Sequence, residues 1–301
     1  MTIDGILNLN KPTGCTSFQM VALVRKLSKQ RRVGHAGTLD PEATGVLPIC
    51  LGQATRLVEF LMDGTKTYWA EVRLGVSTDT YDASGTTVSV RDPGGVNLAD
   101  VEAILPDFTG SIQQVTPPFS AAKHEGIPLY RLARAGAPVP LKTKTVGIRS
   151  IRVMAWRHPD FEIEVECGRG TYVRSLAHDI GEAVGCGAHV RAMCRLQCGV
   201  FKIEDAISVE DTRSAFLQGD YSCILHPIDA AVQHLPSVIL DHDAEADVLN
   251  GRPILLPNDD SPSTLVCRAY TAGGQLAALL RRGDGERHWH TYKAFARPRV
   301  A

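Results

Sequence analysis

The chain holds 301 residues with a formal net charge of −1, 44% hydrophobic and 22% charged, the proportions of an ordinary globular protein. That length suits one large domain, or one with a small companion, and no apolar run approaches the ~20 residues of a membrane span. A net charge near zero excludes a uniformly basic nucleic-acid binder. The charges are nevertheless segregated. Arg25, Lys26, Lys29, Arg31 and Arg32 form a basic run, Arg131, Arg134, Lys142 and Lys144 follow in mid-chain, and Asp241, Asp243, Glu245 and Asp247 collect downstream. Such a distribution permits a local RNA-facing stripe; a set of solvated faces is the plainer explanation. The start of the chain lacks the basic residues and apolar core of a secretion signal. A cytoplasmic protein is therefore expected, with its eight cysteines as reduced thiols.

In chain order, residues 5–10 read as a short strand ended by Lys11-Pro12-Thr13-Gly14. A helix follows: Thr16 and Gln19 have capping-box spacing, and Met20, Leu23, Val24 and Leu27 form an apolar stripe. Residues 53–62 have helical periodicity, closed by Gly64. Residues 67–74 alternate, with Tyr68, Ala70, Val72 and Leu74 on one side, as in a half-buried strand. Asp92-Pro93-Gly94-Gly95 is a turn and Asn97 caps a helix to about 105. From 112 to 140 the prolines predict an irregular, functional connection. Residues 146–156 and 161–167 read as strands, the second with Phe161, Ile163, Val165 and Cys167 alternating against three glutamates. Gly168-Arg169-Gly170 then turns into a helix striped by Val173, Leu176, Ala177, Ile180 and Val184. Arg174 falls near the start of that helix, where a cation is unfavourable, so a carboxylate partner is expected. Residues 193–201 read as another strand. Beyond about 236, glycine, proline and asparagine punctuate short apolar runs, the texture of a small β-rich domain.

One loop stands apart: Gly34-His35-Ala36-Gly37-Thr38-Leu39-Asp40-Pro41-Glu42-Ala43-Thr44-Gly45-Val46-Leu47-Pro48. Glycines tolerate positive φ, and a residue before proline is driven extended, so Asp40 belongs to a stiff, sharply turned loop. The small neighbours let a partner approach the backbone. Cys186, His189, Cys194 and Cys198 contain no CxxC pair and fit known zinc spacings poorly, so no metal is expected.

The loop resembles the catalytic motif of the TruB family of RNA pseudouridine synthases. Lys11-Pro12-Thr13-Gly14, Ile49-Cys50-Leu51-Gly52-Gln53-Ala54-Thr55, Tyr68, Thr78-Asp79-Thr80, Gly168-Arg169-Gly170-Thr171-Tyr172-Val173-Arg174 and Cys186-Gly187-Ala188-His189-Val190 extend the resemblance, in family order, over about the first 200 residues. It implies an α+β pseudouridine synthase fold on a mixed, largely antiparallel sheet, occupying 1–235, with an RNA-clamping insertion at about 112–145. Residues 236–301 resemble, more weakly, a PUA-like RNA-binding module. The implied activity is isomerisation of uridine 55 in the T-arm of tRNA, by a monomer and without a cofactor; a non-catalytic RNA-binding or tRNA-folding protein of the same fold is the alternative.

By the same resemblance Asp40 is the nucleophile, paired with Arg174, and Tyr68 packs on the target base. Tyr172 and Met193 line the pocket, and His35 supports the loop after the base is flipped. Lys11, Lys123, Arg131 and Arg134 are expected among the RNA contacts. The chemistry breaks the N1–C1′ bond, turns the uracil and rejoins it through C5. No redox step arises, which is why no cofactor is implied. The base must first leave its stack, at a cost of a few kcal/mol.

Overall fold

The structure, a computed structural model, describes residues 2–120, 122–139, 142–256, 265–283 and 287–295. Its strands are β1 (Gly5–Lys11), β2 (Val33–His35), β3 (Thr44–Leu51), β4 (Lys66–Leu74), β5 (Val76–Thr78), β6 (Thr87–Val90), β7 (Gly110–Val115), β8 (Lys123–His124), β9 (Ile127–Pro128), β10 (Thr143–Arg157), β11 (Asp160–Cys167), β12 (Ala188–Cys198), β13 (Phe201–Lys202), β14 (Leu225–His226), β15 (Ser237–Ile239), β16 (Val266–Tyr270), β17 (Leu276–Arg281) and β18 (His290–Ala294). The α-helices are α1 (Ser17–Ser28), α2 (Val58–Asp63), α3 (Leu98–Ile104), α4 (Leu129–Arg134), α5 (Val173–Ala183), α6 (Val209–Gln218) and α7 (His242–Leu249).

A ten-stranded sheet runs β14–β1–β3–β12–β4–β11–β10–β7, with β2 on β3 and β13 on β12. Every pairing in it is antiparallel except β3 with β12. The expected mixed, largely antiparallel α+β architecture is therefore what the chain adopts.

The strand patterns follow from which faces are covered. Leu7, Leu9, Leu47, Ile49 and Leu51 join the α1 residues Met20, Val21 and Val24 and the α5 residues Val173, Leu176, Ala177 and Ile180 in one core. Ile6, Val46 and Cys50 point the other way and meet Leu57, Leu61, Val232, Leu279 and Phe295. Two covered faces give β3 its unbroken apolar run. β11 is covered on one face only. Its glutamates face out and meet basic partners, Arg152 with Glu164 and Arg149 with Glu166, while Trp69 donates to Glu162 at 2.9 Å.

Helix α1 starts at the expected capping box, Thr16 Oγ1 accepting from Gln19 N and Gln19 Oε1 from Thr16 N. Three expectations need correction. Residues 53–62 are not one α-helix but a 3₁₀ segment, Gly52–Leu57, running into α2. The irregular connection begins later than residue 112, because β7 is an ordered edge strand of the main sheet, paired with β10 from Val115–Thr143 to Gly110–Ile148. Within it lie the β8–β9 hairpin and α4. The strand read at 193–201 starts at Ala188, since bulges near Val190–Ala192 and Arg195–Gln197 break its alternation.

The last part of the chain forms a four-stranded sheet, β15–β16–β17–β18, with its own core of Leu240, Val248, Ile254, Cys267, Leu280 and Trp289. Helix α7 was absent from the sequence expectation. The acidic run begins it: Asp241 caps Ala244 N at 2.8 Å, and Asp243 and Glu245 lie in the first turn, where negative charge suits the helix dipole.

Candidate active site

The Asp40 loop joins β2 to β3 and is tied down along its length. Ala36 N donates to Pro48 O at 2.9 Å, and Gly14 N to Pro41 O at 3.0 Å. Ser17 Oγ accepts from Leu39 N at 2.9 Å and donates to Leu39 O at 3.1 Å. Gly45 has φ +101°, and a Cβ there would stand 2.3 Å from Arg195 O. Only glycine satisfies both demands.

Beneath the loop lies Lys11, with 0% exposure. Its ammonium donates to the carbonyls of Pro12, Cys15 and Pro41 at 2.9, 2.7 and 3.0 Å. A buried group with all three protons engaged has none for RNA, so Lys11, expected among the RNA contacts, instead anchors the loop. Burial lowers its pKa to about 8, against opposing contributions from Cys15 and Asp40.

Arg174, in the first turn of α5, has a side chain 4% exposed, against 31% for Asp40. Its Nε donates to Asp40 Oδ2 at 2.8 Å and its Nη2 to Asp40 Oδ1 at 3.1 Å, a two-pronged pair that fixes the carboxylate's plane. Nη1 reaches Thr80 O at 2.7 Å and Asp82 Oδ2 at 3.2 Å, and Nη2 also reaches Phe119 O at 2.9 Å. The cation at a helix N-terminus is thus offset by two carboxylates and two carbonyls. Asp82 is itself held, its Oδ1 accepting from Thr80 Oγ1, Ser84 N and Ser84 Oγ at 2.7, 3.0 and 2.6 Å. Between them Tyr81 takes φ +62° and stacks on His178 at 4.0 Å.

Asp40, Tyr68, Tyr172, Arg174 and Met193 line one cavity of about 440 Å³, within the range of small-molecule sites. Tyr68, on β4, is half-buried, and burial raises its pKa, as it does for Tyr172. Tyr172 precedes α5 and its backbone is clamped by Gln114, whose Oε1 accepts from Tyr172 N at 2.7 Å and whose Nε2 donates to Tyr172 O at 3.0 Å. A broader depression of about 600 Å³ has Asp92 and Asp100 on its wall without a basic lining residue, so it lacks the charge pairing seen at Asp40.

The other expected residues lie apart. His35 ends β2 and is half-buried outside the cavity lining; burial and nearby Arg195 lower its pKa, which favours neutral imidazole. Arg131 is exposed on α4 and does not line the cavity. The side chains of Lys123 and Arg134 lie outside the described residues.

Sequence reasoning missed Arg195, Asp82 and Lys66, and took Lys144 only as part of a basic stretch rather than as a cavity residue. Arg195 is 1% exposed and lines the cavity. Its Nε donates to Val46 O at 2.6 Å and its Nη2 to Gly37 O at 3.1 Å, and it stands opposite Tyr68 in the β12–β4 register. It thereby ties the two ends of the Asp40 loop to the strand beside Tyr68. A signal existed: with Met193 facing the pocket, a period of two puts Arg195 on the same side. Lys66, 6% exposed, donates to the carbonyls of Met62 and Gly64, and Lys144 joins it on the cavity wall.

Taken together, the arrangement presents an oriented carboxylate, an aromatic platform and cationic walls to a planar, anionic guest. Comparison with known proteins gives the family. Residues 25–173 match the family model "TruB family pseudouridylate synthase (N terminal domain)", and residues 174–233 match "tRNA pseudouridylate synthase B C-terminal domain". A Dehalococcoides mccartyi (strain 195) protein, "tRNA pseudouridine synthase B", is 41% identical over 297 residues, covering 98% of both chains. The Chromohalobacter salexigens protein of the same name is 41% identical over 284 residues, covering 94% of this chain and 92% of that one. Among solved structures, one described as an H/ACA RNP bound to a substrate RNA containing 2′-deoxyuridine aligns with TM-score 0.75 and 27% identity, covering 98% of this chain and 86% of that one. A Cbf5–Nop10–Gar1 complex aligns with TM-score 0.74 and 27% identity, covering 97% and 84%.

Proposed function

The chain belongs to the TruB family of pseudouridylate synthases, and from that premise we propose that it converts uridine 55, in the T-arm of tRNA, to pseudouridine. The reaction is an isomerisation. The N1–C1′ bond breaks, the uracil turns, C5 bonds to C1′, and the proton on C5 is exchanged for one on N1. Atoms balance with no redox partner, so the work falls to positioning and to charge.

The observation that carries the reading is the Asp40 carboxylate, held on both oxygens by Arg174 at the cavity where Tyr68 lies. The two-pronged pairing fixes the plane of the carboxylate and leaves its remaining lone pairs for the guest. In this reading Asp40 is the nucleophile and Arg174 holds it in plane. Tyr68 stacks under the base and attends the proton leaving C5. Tyr172 and Met193 close the walls around the flipped nucleotide, and His35 supports the bases left behind. Arg131, with Lys123 and Arg134, meets the RNA backbone, and the protein acts as a cytoplasmic monomer. Residues 236–301 serve as a PUA-like accessory RNA contact. A non-catalytic RNA-binding protein of this fold is less favoured, since binding alone has no use for an oriented carboxylate on a cavity wall.

The test is tritium release from a tRNA T-arm transcript labelled at uracil C5. Wild type should release label, and Asp40→Asn should lose at least about three orders of magnitude in rate while still binding the transcript. Full release by the variant would remove Asp40 from the chemistry.

A further inference from the structure

The basic run 25–32 is not used by the cavity, and the structure gives it a definite geometry. Helix α1 buries Met20, Val21 and Val24. The opposite arc carries Phe18, Ala22 and Lys26, all exposed; exposed Lys29 is the C-cap, and exposed Arg31 follows just past it. No acidic residue occurs in the helix. Among the described residues Lys26, Lys29 and Arg31 make no ion pair. Arg25 differs: its Nη2 donates to Val33 O at 2.9 Å.

Attraction to the helix dipole accounts for a cation in the last turn such as Lys26. It accounts neither for Arg31, beyond the helix, nor for Phe18 at the other end. Phe18 is 67% exposed, the sole aromatic among the exposed large hydrophobic side chains of the described residues. Its location is specific. The preceding residue, Ser17, holds Leu39 by two hydrogen bonds, one position before Asp40. The helix therefore begins beside the Asp40 loop with an exposed aromatic in its first turn, and its 12 residues carry the chain about 18 Å on to the basic end.

We propose that this face of α1 is a second RNA contact: Phe18 packs against a nucleotide beside the extruded one, and Lys26, Lys29 and Arg31 follow the phosphates of the flanking stem. An aromatic platform followed by unpaired cations is the combination that holds a nucleic-acid backbone without reading sequence. The proposal rests on the tRNA reading above and adds a place and a direction to it.

The test compares wild type with a Lys26→Gln/Lys29→Gln/Arg31→Gln variant and, separately, Phe18→Ala, on the full chain with a tRNA transcript. Kd is measured from 50 to 300 mM salt, KM and kcat at one salt concentration. The triple variant should flatten the slope of log K against log salt by about 2.7, since each of the three phosphate contacts contributes about 0.9. Its KM should rise about tenfold at moderate salt, with kcat at saturation kept. Phe18→Ala should weaken binding about fivefold or more with the slope unchanged, as loss of stacking does. All four residues are exposed, so an unaltered melting temperature is expected and checks the fold; single Lys29→Gln, with a slope change near one, serves if the triple variant melts early. An unchanged slope and KM would assign the run to the helix dipole and a solvated face, and would overturn the proposal. If wild type binds tRNA but releases no tritium, the catalytic reading fails while the slope comparison still decides this one. No salt-dependent tRNA binding by wild type would overturn both.

Discussion

Lys11 shows how a charged side chain acts at this site without touching the guest. Its three donated bonds join the end of β1, the turn before α1 and the carbonyl next to Asp40. Burial puts its pKa at about 8. Below that value three N–H donors hold the loop; above it the neutral amine keeps two, and the tether slackens. The rate constant should therefore fall as pH rises through about 8. Lys11→Met should be slower at every pH and should lack that limb. An identical alkaline limb in the variant would place the ionisation elsewhere. Arg174 makes the complementary point. A guanidinium offers a planar fork that an ammonium lacks, and here the fork spans Asp40 while the remaining nitrogen takes Thr80 O and Asp82.

At the scale of elements, α5 carries Arg174 and Tyr172 at its start, and its far end explains a tension in the helix. Asp179 and Glu182 lie three apart near the C-terminus, where negative charge opposes the dipole and each repels the other. Arg91 offsets Glu182. Among the described residues Asp179 has no such ion pair, and burial followed by repulsion from Glu182 raises its pKa to about 6. A carboxyl whose folded pKa is raised favours folding while it is protonated, below its unfolded value of about 3.9, and that contribution is lost as pH rises through about 6. Asp179→Asn should therefore melt a few degrees higher than wild type at pH 7–8, with the gain shrinking towards zero near pH 4. A gain independent of pH would point to altered packing rather than relieved charge.

For the whole molecule, the C-terminal sheet is a docked companion with a core of its own. Leu279 and Phe295 enter the cluster of Leu57 and Leu61. Around them Lys293 Nζ meets Glu59 at 3.0 Å, and Tyr292 OH donates to the same carboxylate at 2.7 Å. Arg56 lies over the Phe295 ring at 5.3 Å. Helix α2 thus touches the small sheet through Glu59 and the cavity through Met62. Ending the chain at residue 235 should uncover that apolar seam, so the truncated protein should melt lower and bind tRNA more weakly. Its kcat at saturation should survive, because no cavity-lining residue lies beyond Arg195. Complete inactivity of a folded truncation would contradict this division.

Much of this was legible in the chain itself. The capping box at Thr16 and the alternation in β11 declare local structure, because helix and strand periods are short-range properties. The Asp40 loop could be read as stiff from its glycines and Pro41, and Arg174 as needing a carboxylate from its place at a helix start. The family motif joined the two across 134 positions. What the sequence could not contain is distance. Lys11 was expected among the RNA contacts through the family resemblance; only the packed loop shows three carbonyls converging on it. Asp82 and Arg195 entered the site through a turn and a neighbouring strand, contacts made by sheet register rather than by adjacency. Alternation could not date the start of β12, since a bulge shifts its period. Local chemistry is written residue by residue, whereas burial and convergence exist only once the sheet has brought distant residues to one wall.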